Sequence, residues 1–173
     1  QLWRDLSAEE LPGASLSDLA AAFAELWRFS AVLTDDAPAI RLRRWTSAAG
    51  TDLGRDLLEI VQPDRPFLVD SIMGEIAEAG FPVRAMFHPL IERDGKRISA
   101  IQVHLDPVGD DRAAALIEGV RLALGDVRMA VADFPAMLAL MRGAITELAG
   151  APSAVSGDAR AEDLAFLEWL EHD

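Results

Sequence analysis

The chain has 173 residues, 51% of them apolar, and carries 16 basic against 29 acidic side chains for a net charge of −13. It is one domain of ordinary size with extensions, able to bury roughly 70% of its unfolded surface, and its charge repels a phosphate backbone, so no nucleic acid is expected as a partner. It has no cysteine, which excludes disulfides, thiolate nucleophiles and cysteine-based zinc sites.

Leu16, Leu19, Ala20, Phe23, Leu26 and Trp27 recur every three to four residues. This predicts an amphipathic helix with Ser15 or Ser17 as its N-cap. Residues 39–46 (AIRLRRWT) alternate Ile40 and Leu42 with Arg41 and Arg43 and predict a strand, 47–53 a turn, and 56–61 (DLLEIV) an interior strand. Pro66 is expected in the first turn of the next helix, where its missing N–H costs nothing. Leu68, Ile72, Ile76 and Ala79 would line that helix and Gly80 would stop it.

Residues 81–91 and 97–105 read as a hairpin joined through Asp94-Gly95. A three-residue loop with Gly95 as bulge sets Phe87 opposite Ile101 and Ala85 opposite Val103, apolar against apolar. A two-residue loop sets Phe87 opposite Gln102 and Ala85 opposite His104. The three-residue register is expected, giving one apolar face and another carrying Arg84, Met86, His88, Gln102 and His104. A helix over 110–124, a strand over 127–132, a helix from Phe134 with Asp133 as N-cap, a small-residue loop over 150–160 and a helix over 161–171 complete the chain. Met129, Met137, Met141, Trp3, Trp27, Trp45 and Trp169 are expected to fill cores, Trp169 less securely than the others.

From residue 54 the order is strand, helix, strand, strand, helix, strand. This is an α+β, ferredoxin-like (ACT-like) βαββαβ arrangement: an antiparallel sheet with helices on one face and helical extensions at both ends. The expected division is 1–35, a helical segment; 36–133, the α+β domain; and 134–173, a helical extension. No apolar run approaches the roughly 20 residues that span a bilayer, so no membrane is expected. The sequence opens on Gln1 with no basic segment leading into an apolar one, so a cytoplasmic location is expected.

Four segments occur in order: EIVQPDRPFLVDS at 59–71, FHP at 87–89, Val127-Arg128-Met129-Ala130-Val131-Ala132-Asp133-Phe134-Pro135-Ala136-Met137, and Phe166-Leu167-Glu168-Trp169-Leu170. Their order and spacing over about 55–173 resemble the N-terminal region of the large bacterial NAD-specific glutamate dehydrogenases. That family has MPFLVDS, a strand ending in HP, V-R-x-x-V-x-D-x-x-x-M and FL-x-WL. Arg65 stands in place of its Met and Pro63 in place of an acidic residue. The resemblance implies a non-catalytic regulatory or assembly ACT-like domain. The whole enzyme would oxidise glutamate to 2-oxoglutarate and ammonia with NAD, bound elsewhere. Its implied partners are other domains and subunits of that enzyme. The residues agree with a site elsewhere: there is no G-x-G-x-x-G, and the sole lysine, Lys96, lies at a hairpin tip. A stand-alone amino-acid-binding ACT-type module is the alternative, and a small enzyme using His88 or His104 a third.

No catalytic, cofactor-binding or metal-ligating residue is assigned. Asp64, Asp70 and Ser71 flank the strand-to-helix junction and, with Arg65, Phe67 and His88, are the candidates for an amino-acid effector or a domain contact. Helix capping and dipole complementarity explain Asp70 as well, and that reading is preferred. His88 and His104 stand roughly 13 Å apart along neighbouring strands, too far to share a metal. Arg41, Arg43 and Arg44 form the only basic cluster, read as a charged edge strand before an anion site.

Overall fold

In a computed structural model, residues 14–150 and 157–172 are described. Trp3 lies outside them. The elements are α1 (Leu16–Phe29), a short 3-10 turn (Ser30–Val32), β1 (Ala39–Thr46), β2 (Asp52–Pro63), α2 (Leu68–Glu78), β3 (Val83–Phe87), β4 (Leu90–Arg93), β5 (Lys96–Leu105), α3 (Asp110–Gly150) and α4 (Gly157–His172). Contacts divide the chain into two compact units, Gln1–Val127 and Arg128–Asp173.

In the first unit an antiparallel sheet runs β1-β2-β5-β3, with β4 also paired to β5. The arrangement is α+β and ACT-like. β2, β5 and β3 hold the ferredoxin-like order, and β1 takes the edge beside β2 that a strand after the second helix would occupy. The strand expected over 127–132 does not form, because α3 continues through it. Nothing between Asp110 and Asp133 breaks a helix: Gly119 and Gly125 are isolated, and the other residues are mostly Ala, Leu, Arg and Met. Asp133 is therefore no N-cap, and Pro135 lies inside the helix.

Both faces of the sheet are covered. Leu58, Ile60, Ile101, Val103 and Leu105 pack with Leu68, Ile72 and Ile76 of α2 and with Leu116, Val120 and Leu124 of α3. On the other face α1 sets Leu19, Ala22 and Leu26 against Trp45, Leu57, Phe87, Val61 and Ala100. Ser15 caps α1 in a capping box with Asp18, which also accepts from the Ala48 amide at 2.9 Å.

The second apolar face decides the hairpin register. Phe87 stands opposite Gln102 and Ala85 opposite His104, so the three-residue register is overturned. Arg93 pairs with Lys96 across a two-residue turn, Asp94 at φ 51° and Gly95 at φ 73°. Positive φ at both positions is the geometry whose twist matches a hairpin, and Asp-Gly supplies it. Phe87 loses nothing by sharing a face with Gln102 and His104, since α1 covers that face.

Three further expectations are corrected. β2 begins at Asp52, shortening the turn before it. Pro66 precedes α2, whose first residue is Leu68. Trp27 is 55% exposed and beneath the Arg93 guanidinium, so it is not core; Trp45, at 1%, is.

In the second unit, residues of α3 and α4 form a helix pair tied by Arg142 Nε to Glu171 at 2.5 Å. Val131, Leu138, Met141, Ile145 and Leu148 of α3 are half-buried, as are Leu164 and Leu167 of α4. Met129, Phe134, Met137, Leu140, Phe166 and Trp169 are exposed, so Met129, Met137 and Trp169 fill no core here. An 18-residue window of α3 reaches a mean hydropathy of 1.3, apolar and long enough to cross a bilayer, contrary to the reading that no such run exists.

Candidate functional site

β2 delivers the chain to α2 through Asp64–Phe67, and the structure sorts the six candidates here into three settings. Asp64 and Arg65 face ion-pair partners: Arg97 Nη2 lies 2.8 Å from Asp64, and Arg65 Nη2 2.5 Å from Asp36. Between them opens a cleft of about 660 Å³, lined by Leu33, Asp35, Asp36, Asp64, Lys96 and Arg97 among others. Both acidic groups, Asp35, Asp36, Asp64 and Asp94, and basic ones, Arg93, Lys96 and Arg97, line it.

Phe67 and Asp70 stand in solvent at the start of α2. Phe67, 68% exposed, sits at φ 65°, a left-handed conformation uncommon for a bulky residue. As the N-cap residue it offers α2 no side-chain hydrogen bond. The Ser71 amide makes its ordinary bond to the Phe67 carbonyl. Asp70 lies in the first turn, where a carboxylate complements the helix dipole.

His88 lies in the link between β3 and β4. Its Nε2 hydrogen-bonds Ser99 Oγ. Burial holds its pKa below the usual imidazole range, against the opposing charge of Asp64, so Asp64 and His88 do feel one another. Ser99 is fully buried and stands opposite Gln62 on the α2 side of the sheet. Gln62, 2% exposed, has an amide Nε2 with no partner among the described residues. An uncapped helix start, an unpaired amide donor, a hydroxyl and an imidazole thus lie near one junction.

Under α1 lies a second polar layer that sequence reasoning missed. Glu59, fully buried, accepts from Arg41 Nε at 2.5 Å, Arg43 Nη2 at 3.0 Å and Gln102 Nε2 at 2.8 Å. Gln102 Oε1 accepts from His104 Nε2 at 3.0 Å. Burial first, then the charges of Arg55 and Arg43, push His104 down to about 3. Arg41 and Arg43 are therefore the counter-ions of Glu59, which replaces the reading of a solvated edge. Arg44 lies 3.1 Å from Asp56. The legible signal was a carboxylate, Glu59, flanked by apolar residues in LLEIV on the strand beside two arginines.

His88 and His104 occupy opposite faces of the sheet. Among the described residues no group of three His, Asp or Glu is placed to hold a metal.

The family described as "Glutamate dehydrogenase, ACT1 domain" matches residues 1–120. A protein named NAD-specific glutamate dehydrogenase from Pseudomonas aeruginosa is 28% identical over 193 aligned residues, covering 98% of this chain and 12% of its own length. A protein of the same name from Halomonas elongata is 30% identical over 187 residues, covering 95% of this chain and 12% of its own length. The chain thus spans about an eighth of the curated relatives it matches.

Proposed function

Because the chain belongs to the glutamate dehydrogenase ACT1 domain family, we propose that it is a non-catalytic regulatory and assembly domain of a large NAD-dependent glutamate dehydrogenase. In this reading the complete enzyme is cytoplasmic and oligomeric and converts glutamate to 2-oxoglutarate and ammonia. NAD and substrate are held by another part of the polypeptide.

The observation that carries this reading is the surface of the second unit. Between Met129 and Ala149 the only charged residues are Asp133, Arg142 and Glu147. α4 shields one stripe, yet Phe134 is 57%, Met137 60% and Leu140 76% exposed. A helix apolar on all sides belongs inside a larger body. The relatives are about eight times longer than this chain, so the partner proposed is the rest of the same polypeptide, not lipid.

The test places Phe134→Asp and Leu140→Asp in the complete product of the natural gene and follows molecular mass and glutamate oxidation. Both are expected to fall, while the unfolding midpoint of the 173-residue chain stays put. Unchanged mass and activity contradict the reading.

A second reading, amino-acid effector binding at Asp64–Ser71, is favoured by the unpaired Gln62 amide beside the uncapped start of α2. Calorimetric titration with a panel of amino acids should give heat that Gln62→Leu removes. No heat at millimolar ligand contradicts it.

A further inference from the structure

Three buried polar atoms beneath α1 have no hydrogen-bond partner among the described residues: Trp45 Nε1, Arg55 Nη1 and His104 Nδ1. They lie together. The Trp45 and His104 rings meet edge-on with centroids 4.6 Å apart. Trp45 sits where the β1–β2 ladder slips: Arg44 pairs with Asp56 and Thr46 with Asp52, so one residue of β1 faces three of β2. That bulge, with Gly54 at φ 69°, sets Leu53, Gly54 and Arg55 of β2 against Trp45 of β1. Leu57, two residues from Arg55 on the same face, stands directly across from His104.

The neighbours fix the chemistry of each atom. Gln102 Nε2 is committed to Glu59 Oε1 and the Ala22 carbonyl, so Gln102 Oε1 is the acceptor for His104 Nε2. The His104 proton therefore sits on Nε2, leaving Nδ1 a bare acceptor. The cluster thus offers two donors, an indole N–H and a guanidinium N–H, and one acceptor.

We propose that this cluster holds one internal water, accepting from Trp45 Nε1 and Arg55 Nη1 and donating to His104 Nδ1. Three hydrogen bonds is the usual complement of a buried water. An anion would satisfy the donors but face the lone pair of His104, and a cation would meet the Arg55 charge. The water ties β1, β2 and β5 together beneath Leu19, Ala22 and Phe23 of α1, so its exchange requires α1 to lift.

The test is heteronuclear NMR on the intact chain, with the indole resonances assigned by triple-resonance spectra so that no variant is needed. The Trp45 indole proton is expected to show a direct cross-peak to water with the sign of a long-lived, slowly tumbling guest. His104 Nδ1 is expected at the shift of an unprotonated ring nitrogen, and both observations should be identical in chloride-free and chloride buffers. Absence of the cross-peak, a proton on Nδ1, or a cross-peak that chloride abolishes would each overturn the proposal, the last two in favour of an anion.

Discussion

Glu59 and Gln102 face each other across β2 and β5, and the Gln102 amide donates to the fully buried Glu59 carboxylate at 2.8 Å. The same carboxylate is gripped from β1 by Arg41 and Arg43. Arg41 also reaches the Glu25 carbonyl of α1 at 3.3 Å and lies 4.2 Å from the Phe29 ring centroid. One carboxylate thus joins three strands and the helix that covers them, which fixes β1 at the sheet edge. A buried charge is tolerated only when every lone pair has a partner, and here the partners come from elements distant in sequence.

Glu59→Gln should therefore destabilise the chain by about 3 kcal/mol, the low end for breaking a buried ion pair, because both arginines keep some access to water. Denaturant unfolding reads this as a lower midpoint at unchanged slope. A loss below about 1 kcal/mol would show the network to be incidental.

His104 gives the fold a defined acid limb. Its folded pKa, about 3, lies below the 6.5 of the unfolded chain, so between these values the unfolded state binds the extra proton. Stability from the neutral ring is complete above pH 6.5 and falls as pH drops towards 3, with a slope of up to about 1.4 kcal/mol per unit. Unfolding of the parent and of His104→Gln from pH 7 to 4 should show a shallower slope for the variant. Parallel curves would contradict the assignment.

The hairpin turn needs positive φ twice. Gly95→Ala should cost about 1 kcal/mol, since φ 73° strains any Cβ, whereas Asp94→Asn should be neutral. Thermal unfolding of the two variants separates them, and equal behaviour would argue against the two-residue turn.

Phe67 is strained and mostly in solvent, so Phe67→Asn should stabilise the isolated chain by about 0.5–1 kcal/mol. A loss of stability would mean that the ring contributes to folding after all.

Periodicity made α1, β1, α2 and the start of α3 readable, because each has one apolar face and a clear terminus. The hairpin register failed for a physical reason. Alternation assigns one face to water, but α1 covers the second face, and Gln102 and His104 are buried there with partners. The expected strand at 127–132 failed because VRMAVA suits either period, and the uninterrupted helix on its N-terminal side decides it. In the candidate site, Asp64 and Asp70 were legible as junction residues. Gln62 was not, since an amide reveals its unpaired donor only when its neighbours are in place. Glu59 was hidden in the same way: its meaning depends on β1 pairing with β2.

In the proposed reading the dehydrogenase chemistry lies outside these 173 residues. The most direct test of that reading is reduction of NAD by the purified chain with saturating glutamate. The predicted result is no turnover above the uncatalysed rate, while the complete product of the natural gene turns over under the same conditions. Sustained turnover by the chain alone, abolished in His88→Ala or His104→Ala, would contradict it.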